Sequence, residues 1–507
     1  MVSRAQPGQA NTGHPVASLL LGLPITTSIE TLRPIFGYRY SNFGWFAQDD
    51  FRVNAHLTLN LGLRYEIETP VVEVNDLQST FDVQRQAFVF AGRDNQPRTL
   101  SDTDYSNFGP RVGFAWTPGS NSKLALRGGY GLAYASTSSS QVQQQRSIGF
   151  TAVASFPSPD NGLTFPIRLR EGLPSVNVDP ISVTRQRNIN VNVIERYAPR
   201  AQMHQWNLNL QRQVGDFLVQ LAYSGSKGTH LVAANYSLNQ VPTARLGAGN
   251  AQVLRPYPDF QEIIVNNPNE GNSLYNGLSL SVNRRFARGL TLISSFTFQK
   301  GIDNTSGRGA FVEYGSLRAQ DNYLRSAERS VSQFDRTKRF VAAWVCELPF
   351  RATGPARFLI SGWELSGMLE VMDGTPLAMS AAPNRSNSLG GGSRPNRAPG
   401  QDPVLENWTP QRAFNTAAYL APEPFTFGNA SRTEPKLRAP GWATLDASIL
   451  KRFPLRERVR LEFRAEAYNL ANRTNFQRPN TVVGTPQFGQ ILLAWPSRTI
   501  QGGLKLV

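Results

Sequence analysis

Hydrophobic and polar residues alternate along this chain with a period of two, in one segment after another. In Asn42–Glu66, NFGWFAQDDFRVNAHLTLNLGLRYE, the run after His56 sets Leu57, Leu59, Leu61, Leu63 and Tyr65 against Thr58, Asn60, Gly62, Arg64 and Glu66. Successive strand residues point to opposite faces, so this run predicts a strand with one apolar and one polar side. The phase returns at Val112, Phe114 and Trp116, at Leu124, Leu126, Tyr130, Leu132 and Tyr134, and at Trp206, Leu208 and Leu210. It continues through Phe217–Tyr223, Leu278–Val282, Leu290–Phe298, Phe340–Leu348 and Trp363–Val371. Leu445–Phe453, then Val459, Leu461, Phe463, Ala465 and Ala467, and last Ile500, Leu504 and Leu506 complete the set. Thirteen strands are predicted, with a weak fourteenth at Ile25–Arg33, and no helical period is sustained. The chain is all-β.

The connections alternate between short and long. VNAH (Val53–His56), PGSNS (Pro118–Ser122), VGD (Val214–Asp216), ARG (Ala287–Gly289), RATGPAR (Arg351–Arg357) and PLRE (Pro454–Glu457) are short. The segments Glu68–Gly109, Ser136–Ala201, Ser224–Asn272, Gly301–Thr337, Asp373–Gly441 and Ala471–Ser497 are long and rich in Gly, Pro, Asn and Ser. Tight hairpins therefore fall on one rim and long loops on the other, the layout of an antiparallel transmembrane β-barrel with short periplasmic turns and long extracellular loops. Strands of about ten residues match the ~9–11 that cross a bilayer at a barrel's tilt. A sandwich of two sheets shares the alternation, but it gives no reason for the loop asymmetry.

Two further features favour the membrane. Trp45, Trp116, Trp206, Trp344 and Trp363 lie on strands, several near strand ends, although each tryptophan alone is equally explained by core packing. Arg64, Arg127, Arg464 and either Arg212 or Gln211 have small or polar neighbours, which suits a wet lumen. The phase predicts lipid contact for Leu57, Leu59, Leu61, Leu63, Leu126, Tyr130, Leu208, Leu210, Leu280, Leu292, Trp344, Leu461, Phe463, Leu504 and Leu506. It turns Asn60, Arg64, Arg127, Asn209, Arg464 and Glu466 to the lumen.

Composition narrows the function classes. Across 507 residues hydrophobic types make up 40%, and no window of ~18 apolar residues forms a spanning helix. PVASLLLGLPI (Pro15–Ile25) is too short to span and has no basic flank or cleavage site of a signal peptide. The single Cys346 excludes disulfides within the chain, and His14, His56, His204 and His230 are scattered, so no metal constellation is expected. The net charge of +16 comes from dispersed arginine without a groove or tail. That argues against nucleic acid; it suits anionic lipid or lipopolysaccharide, and a GC-rich codon bias explains it equally well.

No catalytic set emerges, no cofactor is implied, and the chain is not read as an enzyme. GGYG (Gly128–Gly131) lies inside an alternating strand, where small residues relieve crowding, rather than before a phosphate-binding helix. Asp49 and Asp50 point to opposite faces and cannot share one ion; Asp50 is expected in the lumen, offset by Arg52 or Arg64. SGSKGTH (Ser224–His230) holds Ser, Lys and His but is expected to open a long loop, without a nucleophile elbow. Ligand contacts are expected on the long loops, above all Ser136–Ala201 and Asp373–Gly441.

Five blocks carry a family likeness: WFAQDDFRVNAHLTLNLGLRYE; NFGPRVGFAW followed by LALRGGYGLAY; MHQWNLNLQRQVGDFLVQLAYSGSKGTHL; YNGLSLSVNRRFARGLTLISSFTFQKGIDN; and RVRLEFRAEAYNLANRTNF. In this order, from about residue 15 onward, they resemble the barrel of Oar-like TonB-dependent receptors. The resemblance implies a barrel of about 22 strands, an N-terminal plug, a TonB box and often a leading carboxypeptidase-regulatory-like domain. It implies substrate binding and uptake across the outer membrane of a Gram-negative-type bacterium. Its partners are outer-membrane lipid and lipopolysaccharide, the barrel-assembly machinery, an unnamed extracellular substrate, and TonB only through a plug.

Family members are about twice as long. The expected organisation is an N-terminal segment, 1–36, with a weak strand, then a barrel domain, 37–507, without plug, TonB box or signal peptide. Thirteen strands correspond to the C-terminal part of the barrel, and an odd count does not close in antiparallel fashion. Val507 stops one residue before the next apolar position, so a gene model clipped at both ends is expected. A passive pore or surface adhesin built from a smaller barrel, or a soluble β-sandwich binding module, are the alternatives.

Overall fold

A computed structural model describes residues 20–24, 26–32, 35–119, 123–136, 150, 152–157, 167–172, 189–287, 289–305, 319–456 and 459–507. Thirteen long strands form one antiparallel sheet in which every neighbour in space is a neighbour in sequence. We number them β1 (Asn42–Arg52), β2 (Leu57–Glu68), β3 (Phe108–Trp116), β4 (Leu124–Tyr134), β5 (Gln202–Val214), β6 (Phe217–Leu231) and β7 (Gly271–Ala287). The rest are β8 (Leu290–Asp303), β9 (Lys338–Glu347), β10 (Trp363–Met372), β11 (Trp442–Arg456), β12 (Val459–Tyr468) and β13 (Thr499–Leu506). The outer edges of β1 and β13 carry no strand partner among the described residues, and every residue of both strands is exposed.

Turn chemistry produces the hairpins. Between β1 and β2 the Asn54 side chain accepts from the backbone N–H of His56 at 2.8 Å and of Leu57 at 3.0 Å, closing the turn locally. Between β5 and β6 Gly215 takes φ 57°, a left-handed value that suits glycine in a two-residue turn. The longest connection on this rim holds a single helical turn, Arg357–Ile360. No described helix is long and apolar enough to cross a membrane.

The register keeps the two faces separate. One continuous row crosses β4 to β11 as Leu126, Leu210, Leu221, Leu280, Phe296, Phe340, Val371 and Ala443. Trp45, Tyr65 and Phe108 stack side by side on β1, β2 and β3, with centroids 5.8 Å and 4.3 Å apart. At three glycines of this face an aromatic ring from the next strand covers the position. Phe114 lies over Gly128, Trp206 over Gly225 and Trp344 over Gly367. Gly128–Gly131 is thus a piece of wall strand, as its crowding reading required.

Two expectations are corrected. A strand does form at Thr26–Leu32, but it pairs with Ala152–Pro157 in a sheet of its own and adds no fourteenth wall strand. Ser224–His230 does not open a loop. It prolongs β6, because Ser224 to Thr229 find partners on β5 and Ser224 to Gly228 also on β7. Residues 15–19 and 25 of PVASLLLGLPI and most of the loop from 136 to 201 lie outside the described residues.

Candidate functional site: a two-faced sheet under a fused loop cap

All the predicted lipid-facing residues lie in the apolar register rows. Leu57 meets Trp116, Leu59 meets Phe114, Leu61 meets Val112 and Leu63 meets Pro110. Tyr130 lies between Val112 and Trp206, Leu208 opposite Tyr223, and Leu292 opposite Trp344. Leu461 pairs with Leu506 and Phe463 with Leu504. Trp45, Trp116, Trp206, Trp344 and Trp363 all fall in this phase.

The opposite face is a lattice of polar contacts. Asn60 donates to Asp50 at 2.6 Å, so the partner of that carboxylate is an amide rather than Arg52 or Arg64. Arg64 pairs with Glu66. Arg127 shares a row with Ala115 and Asn209. Gln211 donates to Gln220 at 3.2 Å, Tyr275 to Gln299 at 2.8 Å, and Arg339 to Glu370 at 2.7 Å. Arg464 lies 3.5 Å from Glu466, which also accepts from Gln501. Asp49, one residue from Asp50, is paired with Leu61 in the apolar phase, so the two carboxylates do separate.

Sequence reasoning missed the cations on the apolar face. Of Gln211 and Arg212, Gln211 is on the polar side, whereas Arg212 lies between Leu124 and Val219. Arg284 sits 5.2 Å from the Phe217 ring and 3.3 Å from Asp216. Lys451 stacks on Trp363 and Phe453 while its Nζ donates to the Ser361 carbonyl at 2.6 Å. All three lie near the short-turn rim, where long cationic side chains can lay their stems on apolar wall and their heads at its border. The signal was in the sequence: each occupies a slot that the alternation reserves for an apolar residue.

On the opposite rim the long loops make a cap with its own cores. Leu377, Met379, Phe414, Ala418, Tyr419 and Val483 join the loop between β10 and β11 to that between β12 and β13. Phe81, Val191 and Ile263 join three earlier loops. Gln240, fully buried, donates to Gln320 O at 2.6 Å and accepts from Asn322 N at 2.7 Å. Gln320 donates onward to Gly428 O at 2.5 Å, and Val241 N donates to Ser388 O at 2.9 Å. Ion pairs pin these loops to the wall, Arg432 to Asp303 and Arg200 to Glu66 and Glu68, and to one another, Arg438 to Asp335 and Arg394 to Glu328.

Ionisation in the cap follows burial. Tyr419 has its phenol pushed up by burial and by Glu434, whose carboxylate accepts from it at 2.8 Å. Tyr323 is pushed up to about 12, by burial first and Asp321 next. Burial pushes Asp104 upward, but hydrogen bonds from Ser106 and Arg200 outweigh it and hold the carboxyl below its ordinary range. Two cavities open here. One of about 330 Å³ lies at the tops of β6 to β8, bordered by Lys227, Asn272, Leu274, Ile302 and Arg329. The other, about 490 Å³, lies within the cap between Ala378–Ser380 and Gln477–Val482. Among the described residues no cluster of His, Cys, Asp and Glu converges as a metal site.

Comparison with known proteins agrees with this architecture. Residues 2–501 match the family described as outer membrane beta barrel domain. Among solved structures, the outer membrane transporter YddB from Escherichia coli is 10% identical, with 92% of this chain and 44% of that chain covered and a TM-score of 0.47. The FrpB iron transporter from Neisseria meningitidis is 11% identical over 93% of this chain and 46% of that chain, with a TM-score of 0.40. The ferric-catecholate import receptor Fiu from E. coli K12 is 12% identical over 93% and 45%, also at 0.40. The chain spans less than half the length of each of these. No curated protein matches it in sequence. With its all-antiparallel wall and one-sided loops, the chain belongs to the outer membrane β-barrel domain family, a family of membrane barrels rather than of enzymes, and resides in the outer membrane of a Gram-negative-type bacterium.

Proposed function

We propose that this chain is wall and extracellular cap of an Oar-like TonB-dependent receptor, and takes part in binding and taking up a substrate across the outer membrane. The single observation that carries the reading is the division of one sheet into a mainly apolar and a mainly polar face, with all its long loops rising from one rim. In this reading Leu61, Leu126, Leu210, Leu280 and their rows meet acyl chains, and Asn60, Arg64, Arg127, Asn209, Arg464 and Glu466 meet an aqueous interior. Only a sheet closed on itself leaves no unpaired edge in lipid. Among the described residues the outer edges of β1 and β13 have no strand partner, so in this reading the wall is completed by further strands. The capping loops, fixed by their own cores, supply the substrate surface.

The test is alternate-residue labelling in the membrane. With Cys346 replaced by serine, single cysteines are placed at Leu280, Ser281, Leu208 and Asn209. Cysteines at 281 and 209 should react with a charged, membrane-impermeant maleimide, while those at 280 and 208 stay protected in lipid. Equal reactivity of the two sets would overturn the reading.

A further inference from the structure

The long-loop rim of the apolar face differs between its two halves. On β1 to β4 it is aromatic, with Trp45, Tyr65, Phe108 and Tyr130. On β6 to β9 it is cationic. Lys227 on β6 shares a row with Leu274 and Ile302. Lys300 on β8 is paired with Asn276, and Lys338 on β9 with Phe298. All three lysines occupy apolar-phase positions. Adjacent strands are about 4.8 Å apart, so Lys227 and Lys300 lie roughly two strand spacings from each other, and Lys300 is a diagonal neighbour of Lys338 at about 7–8 Å.

Lys227 lines the cavity of about 330 Å³, to which the loop before β9 adds Arg329, and Lys300 lies two residues before the cavity's Ile302 on β8. Lys227 Nζ is 3.4 Å from the Asn272 amide oxygen. None of the ion pairs among the described residues involves Lys227, Lys300, Arg329 or Lys338. Neighbouring cations are all engaged: Arg325 with Glu270, Arg339 with Glu370, Arg432 with Asp303. Asp303 also borders the cavity, but Arg432 already holds its carboxylate. The floor is apolar, Leu274 and Ile302, and continues down the wall as Leu278, Phe298, Leu280 and Phe296.

We propose that this cleft binds the phosphorylated sugar headgroup of an outer-leaflet glycolipid. Lys227 and Arg329 hold a phosphate at the cavity, and Lys300 and Lys338 hold a second anionic group beside it. The acyl chains run down over Leu278, Leu280, Phe296 and Phe298. Four cations without an ion-pair partner among the described residues, above an apolar wall, complement a ligand whose charge sits at the top of its own hydrocarbon. The site rests on the reading of the apolar face as lipid-facing.

The experiment uses the folded full chain in nanodiscs, with heat-modifiable migration as the check on folding. Probes are bisphosphorylated lipid A, its dephosphorylated form, and inorganic phosphate. The variant K227Q/K300Q/R329Q/K338Q should bind bisphosphorylated lipid A at least about tenfold more weakly than the native chain. The opposite-rim variant R212Q/R284Q/K451Q should bind it as the native chain does. Native binding by the four-site variant, an equal loss in the opposite-rim variant, or equal binding of the dephosphorylated lipid would overturn the proposal. Displacement by inorganic phosphate as effective as that by the lipid would overturn it too, leaving a free-anion site. Quenching of tryptophan fluorescence by brominated acyl chains separates the two readings: no quenching in the native chain removes the lipid-facing assignment itself, whereas quenching without loss of binding removes only this site.

Discussion

The guanidinium of Arg432, in the loop between β10 and β11, grips the carboxylate of Asp303 at the top of β8, 129 residues away in sequence. Its Nη2 also donates to the Asp303 carbonyl and its Nε to the Glu328 carbonyl, each at 3.0 Å, and the side chain is 1% exposed. One residue thus ties a loop to the wall and to a second loop. Removing one partner of a buried pair strands the other, at about 3–5 kcal/mol. Arg432→Met should leave the heat-modifiable wall intact while protease cuts the segment 373–441 much faster. An unchanged cutting rate would show that the pair does not hold the cap.

The faces predict opposite tolerance of charge. Leu280 lies mid-row between Leu221 and Phe296, whereas Ser281 faces the other way and bonds Ser295 at 3.2 Å. Leu280→Arg should cost about 2–4 kcal/mol of folding stability in lipid, as arginine does near a bilayer midplane. Ser281→Arg should cost under about 1 kcal/mol. Urea titration of folding into vesicles reads both, and equal costs would contradict the two-faced wall.

Alkali should loosen the cap before the wall. Tyr419 and Tyr323 ionise above the ordinary value of 10.0 in the folded protein. Protons bound more tightly when folded stabilise fully below the unfolded value, and that stabilisation is lost as pH rises through the folded one. For Tyr323 the window runs from 10 to about 12. Proteolysis of the cap should accelerate in that window, and Tyr419→Phe should flatten the acceleration at a cost of about 1 kcal/mol at neutral pH. A pH-independent rate up to 12 would count against this.

The rings laid over glycines define a third contrast. A Cβ at Gly367 would stand 2.6 Å from Trp344 Cζ2 and 2.9 Å from the Asp446 carbonyl, while one at Gly131 would meet nothing nearer than Arg111 Cγ at 3.7 Å. Gly367→Ala should destabilise by about 1–3 kcal/mol and shift the near-ultraviolet circular dichroism of Trp344, and Gly131→Ala should do neither.

The wall was legible in the sequence because a two-residue period is a local property. Leu57–Glu66 announces β2 without reference to any other part of the chain, and the short turns announce the hairpins. What failed was of another kind. Ser224–His230 is poor in strand formers, yet pairing on both sides carries β6 through it. Thr26–Leu32 has strand character, but its partner at Ala152–Pro157 is set by contacts far along the chain. The cap was illegible for the same reason: Gln240, Gln320 and Gly428 meet through hydrogen bonds between distant loops, and no local period encodes them. The apolar-face lysines lay in view at Lys227, Lys300 and Lys338, and only the phase of their neighbours marks them as unusual.

A cap held together by shared cores restricts how it can diversify. In a barrel with independent loops, each one can lengthen, shrink or be exchanged while its neighbours stay as they were. Here Phe414 and Val483 come from different loops and bury one another's surroundings, and Gln240 bridges two more. Grafting any single loop from a relative should therefore fail, whereas transplanting the loops as a set would carry a new surface intact.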